Sequence, residues 1–369
     1  MPPFCWTPQL VDALRHNDWP MAPVFTAADA PRVTEDLDLW DHWPVLTTTG
    51  DLAIVDGGLL VIALTAPIFD NPDERHRHAR LRLFHRSEAA WRDLGPLLPD
   101  GLSPGSREWA GSAVLDPASR QIAAYFTAAG CRGETETSFT QRLFACTVNL
   151  DAALRPCQWT QPEELVVPDG ITYQTDLSGG GEVGTIKAFR DPYLVKDPSL
   201  GTESILFAAS RADADSDWNG LVGKADAAGN GWRLAPPLVD ATGVNNELER
   251  PHLIHHEDFS YLFWSTQRHV FAPELRHAPT GLYGIALDRR SGTWSPINGH
   301  CLVFANPEEA PAQAYSWQVL PDLSIWSFAD QVAPDQKLAT STKKNRNFIG
   351  SPAPILHLRL HANSATLRT

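Results

Sequence analysis

The sequence predicts an all-β fold, a propeller of about five four-stranded blades. Three observations carry this. Short apolar runs bounded by turn residues recur along nearly the whole chain. They never alternate with helix-length stretches, as a βαβ protein would require. The 369 residues include 13 Trp, 25 Gly and 30 Pro but only two Met, a composition of strands, turns and aromatic platforms rather than helix bundles. So many hairpins exceed one sandwich and suit a propeller. No linker divides the chain, so residues 1–369 are expected to form one domain.

Residues 8–15 place Leu10, Val11, Ala13 and Leu14 at helical spacing, and a short N-terminal helix is expected there. Residues 52–64 hold two apolar runs around Asp56-Gly57-Gly58, a strong hairpin signal. Further strands are expected at 79–86, 111–115, 121–128, 144–150, 193–195, 204–209, 220–225 and 232–236. The series continues at 253–255, 261–265, 282–287, 302–305, 318–320, 325–328 and 355–360. Gly179-Gly180-Gly181 reads as a flexible loop.

Thirty basic against 44 acidic residues give a formal charge of −14, which argues against nucleic acid and anionic membranes as partners. No apolar run reaches the 18 residues of a membrane-spanning helix. The first residues, Met-Pro-Pro-Phe-Cys-Trp-Thr-Pro, carry neither the charged nor the apolar region of a standard secretory signal. That fits a cytoplasmic protein, one exported by another route, or one already trimmed. The five cysteines (5, 131, 146, 157 and 301) contain no CxxC pair and are odd in number. They read as mostly free, buried thiols, with a Cys146–Cys157 bridge as the alternative.

Four stretches concentrate chemistry. In Asn245-Asn246-Glu247-Leu248-Glu249-Arg250-Pro251-His252, the two glutamates stand two apart, so both carboxylates share one face of an extended segment. They are acid/base machinery or a solvated acidic edge. Trp40-Asp41-His42-Trp43 sets a carboxylate between indoles, either a capping Asp or one held beside a sugar-stacking platform. Arg190-Asp191-Pro192 is a local ion pair or a clamp for sugar hydroxyls. Glu108-Trp109-Ala110-Gly111-Ser112 sets another Trp beside small residues that leave room for a cavity. The histidines of Arg75-His76-Arg77-His78 and His255-His256 do not make a convincing metal site. The former are flanked by cations, and the latter straddle both strand faces. No GxSxG-type serine hydrolase signature is present.

In their order, WDxWP, EW(x)GS, FRDP, ExERPH and the Gln-Ala-Tyr-Ser of residues 313–316 resemble glycoside hydrolase family 68, the levansucrases, inulosucrases and β-fructofuranosidases. The similarity runs from about Trp40 to Ser316, with Trp6-Thr7 and Asn306-Pro307 in support. It implies a five-bladed β-propeller with a central funnel-shaped pocket and no cofactor. The partner it implies is a small sugar, sucrose or another β-fructofuranoside. Asp41 resembles the nucleophile, Glu249 the general acid/base and Asp191 the transition-state stabiliser of a retaining mechanism. Arg190 and Glu247 resemble binders of sugar hydroxyls, Trp40 and Trp109 the stacking walls, and Tyr315 a supporting or acceptor-side group.

This chain also departs from the family pattern. Ala110 stands where relatives carry a serine touching the nucleophile, Phe207-Ala208 where many have Phe-Glu, and Gln267 where an acceptor-side Arg or His is usual. Asn246 replaces an Asp that is a calcium-ligand candidate, so no structural calcium is expected. The implied activity is cleavage of a β-fructofuranoside with transfer to water or short acceptors. The alternatives are a polymer-forming levansucrase and, from another class, a catalytically inactive sugar-binding propeller.

Overall fold

The computed structural model describes residues 2–16, 18–88, 90–177, 186–197, 201–331 and 347–368. The triple-glycine stretch at 179–181 lies outside them. Strands dominate, and they form five blades in a ring. The inner strands of blades 1 to 5 are Leu37–Pro44, Arg107–Asp116, Phe189–Lys196, Glu249–His256 and Ala314–Val319. Each continues outward through antiparallel neighbours, as in blade 2, where Gln121–Ala129, Gln141–Leu150 and Pro156–Trp159 follow.

The expected N-terminal helix is present as an α-helix, Pro8–Asp12, running into a 3-10 turn, Ala13–His16. Before it, Phe4–Cys5 adds a parallel edge to blade 3, pairing Phe4 with Val239. Trp6 then buries itself among Trp264, Phe271 and Tyr283 of blade 4, with ring centroids 5.1–5.5 Å apart. The ring closes between blades 5 and 1 through Arg32. Its guanidinium donates to Ile349 O at 2.8 Å and Leu37 O at 2.6 Å, and pairs with the buried Asp38 at 3.2 Å. The cysteines are all unpaired, so the Cys146–Cys157 bridge does not form. Only Cys146 and Cys301 are buried, and Cys5, Cys131 and Cys157 are exposed, against the expectation of mostly buried thiols.

The inner strands share one irregularity. The ladder slips by one residue between Trp40 and Trp43, Arg190 and Tyr193, Glu249 and His252, and Tyr315 and Gln318. In each, two residues oppose one on the neighbouring strand, which is a β-bulge. The first bulged residue has a positive φ every time: Asp41 39°, Asp191 63°, Arg250 48° and Ser316 63°. Non-glycine residues there carry strain of roughly 1–3 kcal/mol each and cluster where function re-aims a side chain. Blade 2 bulges between Trp109 and Gly111 without a positive φ. It needs Gly111, because a Cβ there would lie 1.9 Å from Tyr125 O.

Candidate active site

The bulges turn charged side chains toward the axis, where strands of different blades meet. Arg190 is buried, and its Nη2 donates to Glu247 Oε2 at 3.1 Å and Glu249 Oε1 at 2.7 Å. Its Nε lies 3.9 Å from Asp191 Oδ2. The other oxygen of Glu249 accepts a short hydrogen bond from Tyr315 Oη. Asp191 Oδ2 accepts from the backbone N–H of Arg250 at 3.1 Å, and its own N–H donates to Thr127 Oγ1 at 2.9 Å. Thr127 in turn donates to Ala110 O at 3.0 Å, tying blade 2 into the same network.

A second guanidinium, Arg250, knits three blades beneath Asp41. Nη1 donates to Ser316 Oγ at 2.9 Å and Ser316 O at 3.2 Å. Nη2 donates to Gln318 Oε1 at 3.1 Å and His42 O at 3.3 Å. The cation also sits 5.4 Å from the centroid of the Trp43 ring. His252 supports it from below as a neutral ring. Val319 N donates to Nε2 at 2.8 Å, so the ring hydrogen is on Nδ1 and donates to Arg250 O at 2.9 Å. Burial pushes the His252 pKa down to about 3, which keeps that tautomer uncharged.

The electrostatics follow from crowding. Burial raises the pKa of Asp41, opposed by the Arg250 charge and a hydrogen bond from Ser316. Burial likewise lifts Asp191 to about 6 against the pull of Arg190. Glu247 goes up to about 8, through burial, the negative charge of Glu249 and a hydrogen bond between the two carboxyls that favours the protonated form. Glu249 moves the other way: despite burial, Arg190 and the Tyr315 hydroxyl hold it below the usual glutamate value.

Six of the residues singled out by sequence therefore meet in one cluster: Asp41, Arg190, Asp191, Glu247, Glu249 and Tyr315. The two tryptophans stand beside it, linked by the 3-10 turn Pro72–Arg77. Trp40 is buried, with the Arg75 guanidinium 5.7 Å and the His76 ring 6.0 Å from its ring centroid. Trp109 is half-buried, and its indole N–H donates to His76 O at 3.3 Å. Gln267 does not join the cluster. It stands at the N-cap of the 3-10 turn Arg268–Val270 without a capping hydrogen bond from its side chain. Two residues on, the exposed His269 is the group that feels the charge of Glu249.

Sequence reasoning missed Arg250 as a structural hub. The signal was an arginine followed by proline at a strand start. It also missed Ser316, which supplies the hydroxyl beside Asp41 that Ala110 lacks. A third omission is Lys187, whose ammonium donates to Asp217 O at 2.5 Å and to the side-chain oxygens of Asn219 and Asn246, each at 2.8 Å. Asn246, read as the lost calcium ligand, thus accepts from a built-in cation. Among the described residues, no group of three or more His, Cys, Asp or Glu converges as a metal site.

A ring of five blades that brings carboxylates and guanidinium groups from different blades together defines the class: a five-bladed β-propeller with a charged central site. Its membership is shown by comparison. The family model described as Levansucrase/Invertase matches residues 3–226 and 212–369, and the chain belongs to that family, glycoside hydrolase family 68. It is 28% identical over 406 residues to the levansucrase of Rahnella aquatilis, covering 98% of this chain and 93% of that one. It is 30% identical over 376 residues to the levansucrase of Erwinia amylovora, covering 89% and 87%. The structure of the inulosucrase from Halalkalicoccus jeotgali bound to kestose superposes with a TM-score of 0.86 at 32% identity, covering 99% and 95%. The protein is accordingly an enzyme of the glycoside hydrolase/fructosyltransferase type.

Proposed function

We propose that this chain, acting as one catalytic unit, cleaves sucrose or a related β-fructofuranoside with retention and passes the fructosyl group to water or a short sugar acceptor. The observation that carries the reading is the meeting of Asp41, Asp191 and Glu249, from three different blades, around Arg190 and Arg250. A lectin has no need of three buried carboxylates whose charges oppose one another.

In this reading the Asp41 carboxylate attacks the anomeric carbon of fructose as the bond to the leaving oxygen breaks, forming a covalent fructosyl-enzyme. Asp191 accepts hydroxyl hydrogen bonds and stabilises the oxocarbenium-like charge. The glutamate pair supplies the proton. In the unliganded site that proton rests on Glu247, while Arg190 keeps Glu249 ionised. When substrate hydroxyls compete for Arg190, Glu249 loses part of that support and takes the proton, which it gives to the leaving sugar. It then accepts the proton of the incoming water or acceptor hydroxyl. Trp40 and Trp109 wall the fructosyl site, and Gln267, outside the cluster, offers acceptors no charged donor, favouring water and short products.

The test pairs Asp41→Ala with Glu249→Gln, each checked by thermal unfolding. Folded Asp41→Ala should release neither glucose nor fructose from sucrose. Glu249→Gln should recover disproportionately on a fructoside with a good leaving group. Appreciable sucrose cleavage by Asp41→Ala refutes the nucleophile. Equal losses on good and poor leaving groups refute the acid.

A further inference from the structure

A cavity of about 280 Å³ opens between blades 1 and 2, outside the carboxylate cluster. Its walls come from the segment leading into Arg107–Asp116 and from the turn after Gln121–Ala129. It shares no residue with the cluster. Ser106 and Glu108 line it, whereas Arg107 between them turns the other way, 5.5 Å from the Trp109 ring centroid. The cavity and the active-site wall thus use opposite faces of one strand.

Four charged groups line the cavity, and each has bonding capacity left over. Glu108 is only 4% exposed, and its Oε2 accepts from Leu81 N at 2.9 Å. Its Oε1 has no protein partner among the described residues. Among the described residues, Arg80 uses only Nη1, toward Ser106 O at 2.8 Å and Ala79 O at 3.1 Å, Arg132 uses only Nη2, toward Ser103 O, and Asp100 makes no side-chain hydrogen bond. Gly101, Gly105 and Gly133 keep the walls low.

We infer that this cavity is a second carbohydrate site, holding a hexosyl unit of a substrate or product molecule by its hydroxyls. Two guanidinium groups disfavour a metal cation, and two carboxyls disfavour an anion. The lining is formally neutral and offers both donors and acceptors, which suits a neutral polyhydroxylated ring. The volume is at the lower edge of small-molecule sites, roughly 300–1,000 Å³. Burial also lifts the Glu108 pKa to about 7, so near neutrality its carboxyl can donate as well as accept. The inference rests on the reading of the enzyme as one that handles fructosides.

The experiment uses the full chain carrying Asp41→Ala, so that sucrose persists, with ¹⁵N-glycine labelling and amide NMR. Gly101, Gly105 and Gly133 report the cavity, while Gly111, beside Asp191 and Arg250, reports the active site. Sucrose should shift both sets with different midpoints. Arg132→Ala and Asp100→Ala, both at exposed positions, should each weaken the cavity response at least fivefold and leave the Gly111 midpoint unchanged. Cavity glycines that stay still while Gly111 saturates overturn the inference. So does a cavity response that survives both substitutions. A cavity response without any at Gly111 supports the second site and counts against the proposed function.

Discussion

Tyr315→Phe removes one oxygen and leaves the ring in place against Trp317 and Phe328. What it changes is the charge on Glu249, which accepts the Tyr315 hydroxyl at one oxygen and Arg190 at the other. A hydrogen bond to a charged group contributes roughly 1.5–3 kcal/mol, and about 1.4 kcal/mol corresponds to one pKa unit. Arg190 stays bonded in the variant and Glu247 still shares the proton, so the lower end applies, about one unit. The sign is fixed. The hydroxyl favours ionised Glu249, so its loss raises the pKa of the pair. An acid that must be protonated sets the alkaline limb of kcat/KM, and that limb should move to higher pH by about one unit. Initial rates of glucose release from sucrose across pH 4–9 (roughly spanning both limbs), with thermal unfolding as a control, measure it. An alkaline limb that stays put, or moves to lower pH, refutes the assignment of Glu249 as the acid held by Tyr315.

Ser316→Ala should shift the acidic limb to higher pH by up to about one unit, because the hydrogen bond that offsets the burial of Asp41 is gone; the same rate profile reads it. Lys187→Met removes the ammonium that donates to the side-chain oxygens of Asn219 and Asn246, costing about 1–3 kcal/mol in urea unfolding. It should also lower kcat, since Asn246 immediately precedes Glu247. Glu108→Gln tests a linkage. The folded protein holds the Glu108 proton up to about pH 7, against 4.5 for an unperturbed glutamate, so stability falls as pH rises through that window. At about 1.4 kcal/mol per unit the loss approaches about 3.5 kcal/mol. The variant's unfolding free energy should vary less between pH 4.5 and about 7, the window set by the two pKa values.

The propeller was legible because strands such as Gly58–Pro67, Glu203–Ser210 and Phe259–Thr266 are short apolar runs closed by turn residues, and the hairpins at 52–64 and 253–265 announce themselves. Four inner strands were legible only in their C-terminal halves, and the fifth, Leu37–Pro44, was not expected at all. Strands were expected to begin at 111, 193, 253 and 318, but they begin at Arg107, Phe189, Glu249 and Ala314. The missing residues include Asp, Arg, Glu and Pro, which strands ordinarily avoid. They are also the residues that form the bulges. The local conflict that hid the strands is the same feature that builds the site. No sequence repeat betrays the four αL bulges, because Trp-Asp-His-Trp, Arg-Asp-Pro-Tyr, Glu-Arg-Pro-His and Tyr-Ser-Trp-Gln share a backbone shape and no residue at the turning position beyond one Asp pair. The edge strand Trp91–Pro96 was invisible for a simpler reason: its pattern is largely polar and exposed. The roles of Arg250 and Ser316 depend on residues 66 positions apart meeting across the axis, which no local pattern encodes.

The charge count of the cluster decides where its shared proton rests. Four carboxyls, Asp41, Asp191, Glu247 and Glu249, share the site with two guanidinium groups, Arg190 and Arg250. Full ionisation would leave two uncompensated negative charges in a space where burial already raises Asp41, Asp191 and Glu247. Such a cluster keeps a proton near neutrality, and the proton goes where donors are fewest. Asp41 has Ser316 and the Arg250 charge, Asp191 has the Arg250 N–H, and Glu249 has Arg190 and Tyr315. Glu247 has only a share of Arg190 as a donor, and its protonated carboxyl donates to Glu249. The proton therefore rests on Glu247, beside the glutamate that the proposed mechanism makes the acid, and titration of either reports the pair.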